Sequence, residues 1–226
     1  MDEKNFYLDA IRDVVPANKE DQIQDAFCSF LELEHLYDSV IELVKTQLGI
    51  FDNEFSMRFQ RNPIHNIESR IKTPQSIVGK LQRKGMPVTP ESARNNLMDI
   101  AGVRVICYYI DDIYAIADLL TVQSGFHLRK IKDYIKNPKP NGYRSFHMIL
   151  DVPVHMSTGV QIAPVEIQIR TIAMDFWASL EHQLHYKSTG DPKVAATLTG
   201  ELKECAETIA ATDAKMQDMF KKINSL

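Results

Sequence analysis

The sequence predicts a mixed fold, α/β or α+β, in which a central sheet carries helices and a long helix stands at either end. Three observations predict it. Apolar residues recur at helical spacing over 20–48 and again over 192–223. The runs between them are short, rich in β-branched and aromatic residues, and alternate with period two. Hydrophobic residues at 44% and charged residues at 25% of the 226 are those of an ordinary globular chain, long enough to bury one sizeable core. The expected organisation is an N-terminal helical region over 1–60, a central domain over 61–190 and a C-terminal helix over 191–226.

Taken in order, the first helix is written by Ile23, Phe27, Phe30, Leu31, Leu33, Leu36, Val40, Ile41, Leu43, Val44 and Leu48, with Gly49 as its stop. A short element over 51–61 and an extended segment over 67–72 follow. Pro74 opens a helix that runs to residue 84 and is closed by Gly85, and Thr89-Pro90 opens a second, shorter one. Residues 102–109, GVRVICYY, read as a central strand and 111–122 as a helix. Strands over 127–134, 145–152 and 160–170 are separated by the stretch NPKPNG and by a turn at 157–159. A helix over 171–187 follows the last strand directly.

The net charge of −4 conceals a separation. Residues 1–50 carry 4 basic and 11 acidic groups, net −7, whereas 58–104 carry 9 basic and 3 acidic, net +6, and 125–150 carry 6 basic and 1 acidic, net +5. Two central segments are therefore suited to a polyanion, and the N-terminal region is not. Cys28, Cys107 and Cys205 are odd in number and lack a C-x-x-C, which argues against a disulfide framework or a cysteine metal site. The acidic first residues form no export signal, and no run approaches 18 apolar residues, so a cytoplasmic protein without a membrane span is expected.

Four constellations carry chemistry. In ESRIKTPQSIVGKLQRKG, Arg70 and Lys72 alternate on one face of an extended segment, Ser76 lies in the first turn of the helix opened by Pro74, and Lys80 and Arg83 or Lys84 lie one and two turns further along it. A line of cations at a helix N-terminus suits a triphosphate, although no Gly-rich phosphate loop is present and an ordinary basic helix face reads the same way. In MDIAGVRVIC, Asp99 stands at the start of an otherwise apolar strand that also carries Arg104. Charges there are costly unless used, so either one face opens onto a site or the two form a structural ion pair. In KDYIKNPKPNGYRSFH, Lys132, Lys136, Lys139 and Arg144 surround Tyr143 and His147; phosphates suit the cations and a base suits the ring, while a Tyr after Asn-Gly can equally flank a turn. In VEIQIRT, Glu166, Gln168 and Arg170 alternate with Val165, Ile167 and Ile169, so a carboxylate, an amide and a guanidinium line one face of a strand.

Together these segments resemble the synthetase domain of the RelA/SpoT family, which makes the alarmones guanosine tetra- and pentaphosphate. The motifs are R-x-K-x-x-x-S-I-x-x-K-L at 70–81, DIAGVR at 99–104, NGYRSFH at 141–147 and VEIQIRT at 165–171, over half the chain. At this length the resemblance is to a stand-alone small alarmone synthetase. It implies an α+β fold similar to that of nucleotidyltransferases: a mixed sheet flanked by helices, with the long terminal helices beside it.

The resemblance also implies roles. Arg70 and Arg104 match arginines that sandwich adenine, and Lys72, Ser76, Lys80 and Arg83 match contacts to the ATP phosphates. Asp99 and Glu166 match ligands of a magnesium ion, Glu166 with a possible second role as base for the attacking hydroxyl. Tyr143 matches the ring that stacks on guanine, Lys139 and His147 match contacts to the acceptor's 5′-phosphates, and Lys132 stands where some relatives have Arg. Gln168 matches a residue near the acceptor ribose, and Asp175 a position able to accept from guanine N1–H and N2–H₂. The implied reaction is transfer of the β,γ-pyrophosphate of ATP to the 3′-hydroxyl of GDP or GTP, with AMP released, by a homo-oligomer that the family habit makes a tetramer. The other readings are the same transfer to a tRNA 3′ end and a nucleotide- or RNA-binding module without turnover. The acidic N-terminal region argues against a nucleic-acid partner, and the intact Asp99, Glu166 and Gln168 argue against loss of activity.

Overall fold

In the computed structural model, residues 20–122, 124–187 and 192–224 are described. Residues 1–19 of the expected N-terminal region lie outside them. The elements are α1 (Glu20–Phe59), β1 (Ile64–Ile71), α2 (Pro74–Arg83), α3 (Pro90–Asn96), β2 (Ala101–Cys107), α4 (Ile110–Val122), β3 (His127–Asp133), β4 (Phe146–Met156), β5 (Gly159–Thr171), α5 (Ile172–Lys187) and α6 (Pro192–Asn224). The strands form one mixed five-stranded sheet in the order β1-β2-β5-β4-β3, so the strand bearing Glu166 and Gln168 is central. The fold is α+β, as expected.

Gly49 does not stop the first helix. α1 runs through it for 40 residues and ends where Gln60 takes a left-handed conformation, φ 53°. A glycine inside a helix costs about 1 kcal/mol. Burying a large apolar side chain returns about 1.5–3 kcal/mol, and Leu48 and Phe51, either side of Gly49, are both buried. β1 begins three residues before the expected 67 because Asp52 accepts from the Ile64 N–H at 3.0 Å and from the Asn62 amide at 2.6 Å, which ties the chain into extended form on leaving α1. Asp99 precedes β2 rather than lying in it, and Tyr108 and Tyr109 follow its end.

The chain divides into two compact units. The first comprises Met1–Lys45, Ser69–Val103 and Ile149–Glu166. Its core includes Leu36, Tyr37 and Val40 of α1, Ile77 and Leu81 of α2, Leu97, and Leu150 and Val165 of the sheet. The second comprises Thr46–Glu68, Arg104–Met148 and Ile167–Leu226. Ile113, Ile116 and Leu120 of α4, Met148, Ile167, Ile169 and Trp177 are buried there. Arg61 donates to both carboxylate oxygens of the buried Asp112 at the start of α4, at 3.0 and 2.5 Å. Thr171 caps α5 by accepting from the Met174 N–H at 3.1 Å and donates to Asp213 of α6 at 2.7 Å.

Candidate active site

In the first unit the chain leaves β1 through Lys72, whose N–H donates to Ile100 O at 2.8 Å and so stands beside the loop carrying Asp99. Thr73 then caps α2: its side chain accepts from the Ser76 N–H, with Pro74 in the first turn, as the sequence predicts. Lys80 lies further along α2. Lys72 Nζ is 2.8 Å from Asp99 Oδ2, and Lys80 Nζ is 2.8 Å from Oδ1 and 2.7 Å from Oδ2. Burial pushes the Asp99 carboxyl upward, but hydrogen bonds from the two ammonium groups outweigh it and hold the group below the usual carboxylate range.

Glu166, in the same unit, is half-buried between the fully buried Val165 and Ile167. Asp99 and Glu166 are hard oxygen donors, and among the described residues no group of three or more His, Cys, Asp or Glu could hold a metal by itself. That donor set fits magnesium, which is usually held by one or two carboxylates while water and substrate phosphates complete its shell. Two lysines on one carboxylate leave a net positive charge for those phosphates.

In the second unit a polar cluster centres on Arg170 at the end of β5. Its guanidinium donates to Gln168 Oε1 at 2.9 Å, to the Tyr143 hydroxyl at 2.6 Å and to Asp175 Oδ1 at 3.2 Å. Tyr143 also pairs with His147 Nε2 at 2.9 Å, and the Lys139 ammonium lies 4.6 Å from the centre of its ring. Behind the ring stands Trp177, and α6 closes on the same loop: a Cβ at Gly142 would lie 2.5 Å from the Ala206 Cβ. Gly142 also has φ +90°, so both its space and its conformation require glycine. Arg104 donates to Glu68 at 2.9 Å and stands 3.8 Å from Asp175 Oδ1.

The structure thus brings Lys72, Lys80 and Asp99 together in one unit, and Tyr143, Lys139, His147, Gln168, Asp175 and Arg104 into one network in the other. Asp99 is partnered by Lys72 and Lys80, and Arg104 by Glu68. Arg70 is exposed, its side chain 3.7 Å from where a Cβ on Gly102 would stand, so Gly102 leaves that guanidinium room rather than relieving a clash. Ser76 is exposed, its hydroxyl bonded to that of Thr73 at 2.9 Å. Arg83 and Lys132 are exposed, and among the described residues neither takes part in an ion pair. Sequence reading noticed Arg170 on the polar face of β5 but gave it no role, and passed over Glu68, although Glu68 lies two residues before Arg70 on an alternating strand.

The family described as the region found in RelA and SpoT proteins matches residues 69–191. A GTP pyrophosphokinase of Bacillus subtilis, YwaC, is 44% identical over 189 residues, covering 84% of this chain and 89% of that protein. A second, YjbM, is 32% identical over 81% of this chain and 84% of its own length. Among solved structures, small alarmone synthetase 2 of B. subtilis superposes with a TM-score of 0.74 at 44% identity, covering 84% of this chain and 97% of the other. Small alarmone synthetase 1 of the same organism, bound to its product pppGpp, gives 0.73 at 31% identity, covering 83% and 94%. With the motif-bearing segments inside the matched region and such identity across most of its length, the chain belongs to the RelA/SpoT family.

Proposed function

We propose that the chain is a GTP pyrophosphokinase that makes (p)ppGpp, moving the β,γ-pyrophosphate of ATP to the 3′-hydroxyl of GDP or GTP and releasing AMP. The observation that carries this reading is the pairing of one carboxylate, Asp99, with two lysines, Lys72 just before α2 and Lys80 in its last turn: the lysines suit phosphate oxygens and the carboxylate suits the accompanying metal ion. The names of the relatives point the same way, and they favour a free guanine nucleotide over a tRNA end as acceptor.

In this reading Arg70, Lys72, Ser76, Lys80, Arg83 and Arg104 bind ATP, and Lys132, Tyr143, Lys139, His147, Gln168 and Asp175 bind the acceptor. Asp99 and Glu166 hold magnesium, which when bound neutralises phosphate charge and polarises the phosphorus under attack. The acceptor's 3′-oxygen forms a bond to the β-phosphorus as the bond to the bridging α,β-oxygen breaks, and AMP keeps that oxygen. In this reading Glu166 also takes the hydroxyl proton. Lys72 and Lys80 stabilise charge gathering on the transferred group, which is most of what such a reaction asks of a protein. The Tyr143 ring suits stacking on guanine, with the exposed Lys139 ammonium, 4.6 Å from the ring centre, beside it for the 5′-phosphates.

The protein is further proposed to be cytoplasmic; among the described residues no helix is long and apolar enough to cross a membrane. Ile172, Phe176, Leu180 and Leu184 form an exposed apolar stripe on α5 that supports a homo-oligomer, a tetramer by resemblance. The proposed domains are the helical region over 1–60, the catalytic domain over 61–190 and the C-terminal helix over 191–226. Incubation with labelled ATP, magnesium and GDP, GTP or RNA, with products separated by charge, tests the function. Label is expected on ppGpp and pppGpp; transfer to RNA alone, or none, overturns it.

A further inference from the structure

Arg170 is 5% exposed, and its guanidinium donates to four side chains of the second unit. Nε donates to Ser145 Oγ at 3.4 Å, Nη1 to Asp175 Oδ1 at 3.2 Å, and Nη2 to the Tyr143 hydroxyl at 2.6 Å and to Gln168 Oε1 at 2.9 Å, while the carbon of the group lies 5.2 Å from the centre of the Tyr143 ring. Only one of these partners, Asp175, carries a countercharge. Burying a guanidinium on so little opposite charge is a poor way to gain stability, which points to a geometric role.

We propose that Arg170 is the positioning residue of the acceptor subsite, and that it decides which end of each two-sided neighbour is offered to the guanine nucleotide. The proposal rests on the second unit being that subsite. The physical basis is that arginine can only donate. Gln168 therefore turns its carbonyl oxygen to Arg170, which fixes the orientation of an otherwise reversible amide. The Tyr143 oxygen accepts from Arg170 at 2.6 Å and lies 2.9 Å from His147 Nε2, so the hydroxyl end of the ring is held between the two. Asp175 gives Oδ1 to Arg170, with Arg104 Nη1 near the same atom at 3.8 Å, so the guanine N1–H and N2–H₂ pair meets Oδ2. One cation thus orders an amide for the ribose, a stacking ring and an acceptor for the base edge.

The test is steady-state kinetics with Mg-ATP and either GDP or IDP, which lacks only the 2-amino group, on wild type, R170K, R170M and Y143F. A hydrogen bond to a charged group is worth about tenfold to a hundredfold. R170K and R170M are expected to raise KM for GDP about tenfold or more and to shrink the preference for GDP over IDP, with KM for ATP little changed. Y143F, which leaves the Arg170–Asp175 pair intact, is expected to raise KM for GDP while keeping the GDP/IDP ratio. R170K retains the buried charge and decides the matter if R170M does not fold by circular dichroism. A wild-type GDP/IDP ratio in R170K, or KM values for ATP and GDP that rise together, overturns the proposal. A wild type that makes no product from GDP or GTP overturns the functional reading itself, a distinguishable result.

Discussion

Replacing Asp99 with Asn removes one charge and almost no volume. In the structure that charge is shared by Lys72 and Lys80 at 2.7–2.8 Å, with the carboxylate side chain 25% exposed and the lysines 19% and 30%. Two charge-assisted hydrogen bonds, at the low end of about 1.5 kcal/mol each, give about 3 kcal/mol. Partial exposure and the weak hydrogen bonding that Asn retains bring the expected loss to about 1–2 kcal/mol. For a chain of this size that lowers Tm by about 2–8 °C and leaves the fold intact at 25 °C, since domains have about 5–15 kcal/mol in hand. Turnover should fall far more, by about 10² to 10³, because charge stabilisation at the reacting phosphates is lost. The assay is kcat with labelled ATP and GDP across a magnesium titration, beside a melting curve. The folding contribution also has a pH sign. The folded carboxyl titrates below its unfolded value, so its stabilisation is complete above the unfolded value and is lost as pH falls through the folded one. D99N should be insensitive to that acid limb. If D99N keeps kcat within about tenfold of wild type at saturating magnesium, well short of the effect of losing such stabilisation, the assignment of Asp99 as a metal ligand is refuted.

Glu166→Gln should lose turnover while retaining nucleotide binding, measured by kinetics beside calorimetric titration with ATP; near-normal activity removes Glu166 from both the metal and the base roles. Arg61→Met leaves the carboxylate of Asp112, 1% exposed, with only the Tyr109 N–H at 3.3 Å among the described residues, and should cost about 3 kcal/mol; a Tm within about 2 °C of wild type, under 1 kcal/mol at this size, refutes the pair as a structural clamp. Asp213 is pushed upward by burial, against the opposing hydrogen bond from Thr171. A carboxyl raised on folding costs stability as pH rises from its unfolded value through its folded one, so Asp213→Asn, which can still accept from Thr171, should match or exceed wild-type Tm at pH 7 and flatten that limb. A clear loss of Tm at pH 7 contradicts this.

Much of this molecule is written locally. Pro74 after Thr73 places the start of α2 because a proline needs no N–H partner there and a threonine oxygen caps the turn. The alternation of Val165, Ile167 and Ile169 with Glu166, Gln168 and Arg170 marks a strand with one polar face because the strand period is two residues, and the burial follows it as far as Gln168. What local pattern cannot hold is distance across the chain. Asp99 meets Lys80 and Lys72 from 19 and 27 residues away, and Arg170 meets Tyr143 from 27. Such pairs depend on which strands become neighbours. Arg170 is the clearest case, since a guanidinium expected on an open polar face is buried once Tyr143, Ser145 and Asp175 arrive around it. Gly49 shows the same limit in reverse: its weak helical preference is a local fact, and the burial of Leu48 and Phe51 that overrides it is a tertiary one. The sequence by itself determined the elements and the residue types of the site; only the tertiary structure decided which charges share a partner, because burial and long-range contact are properties of the packed chain.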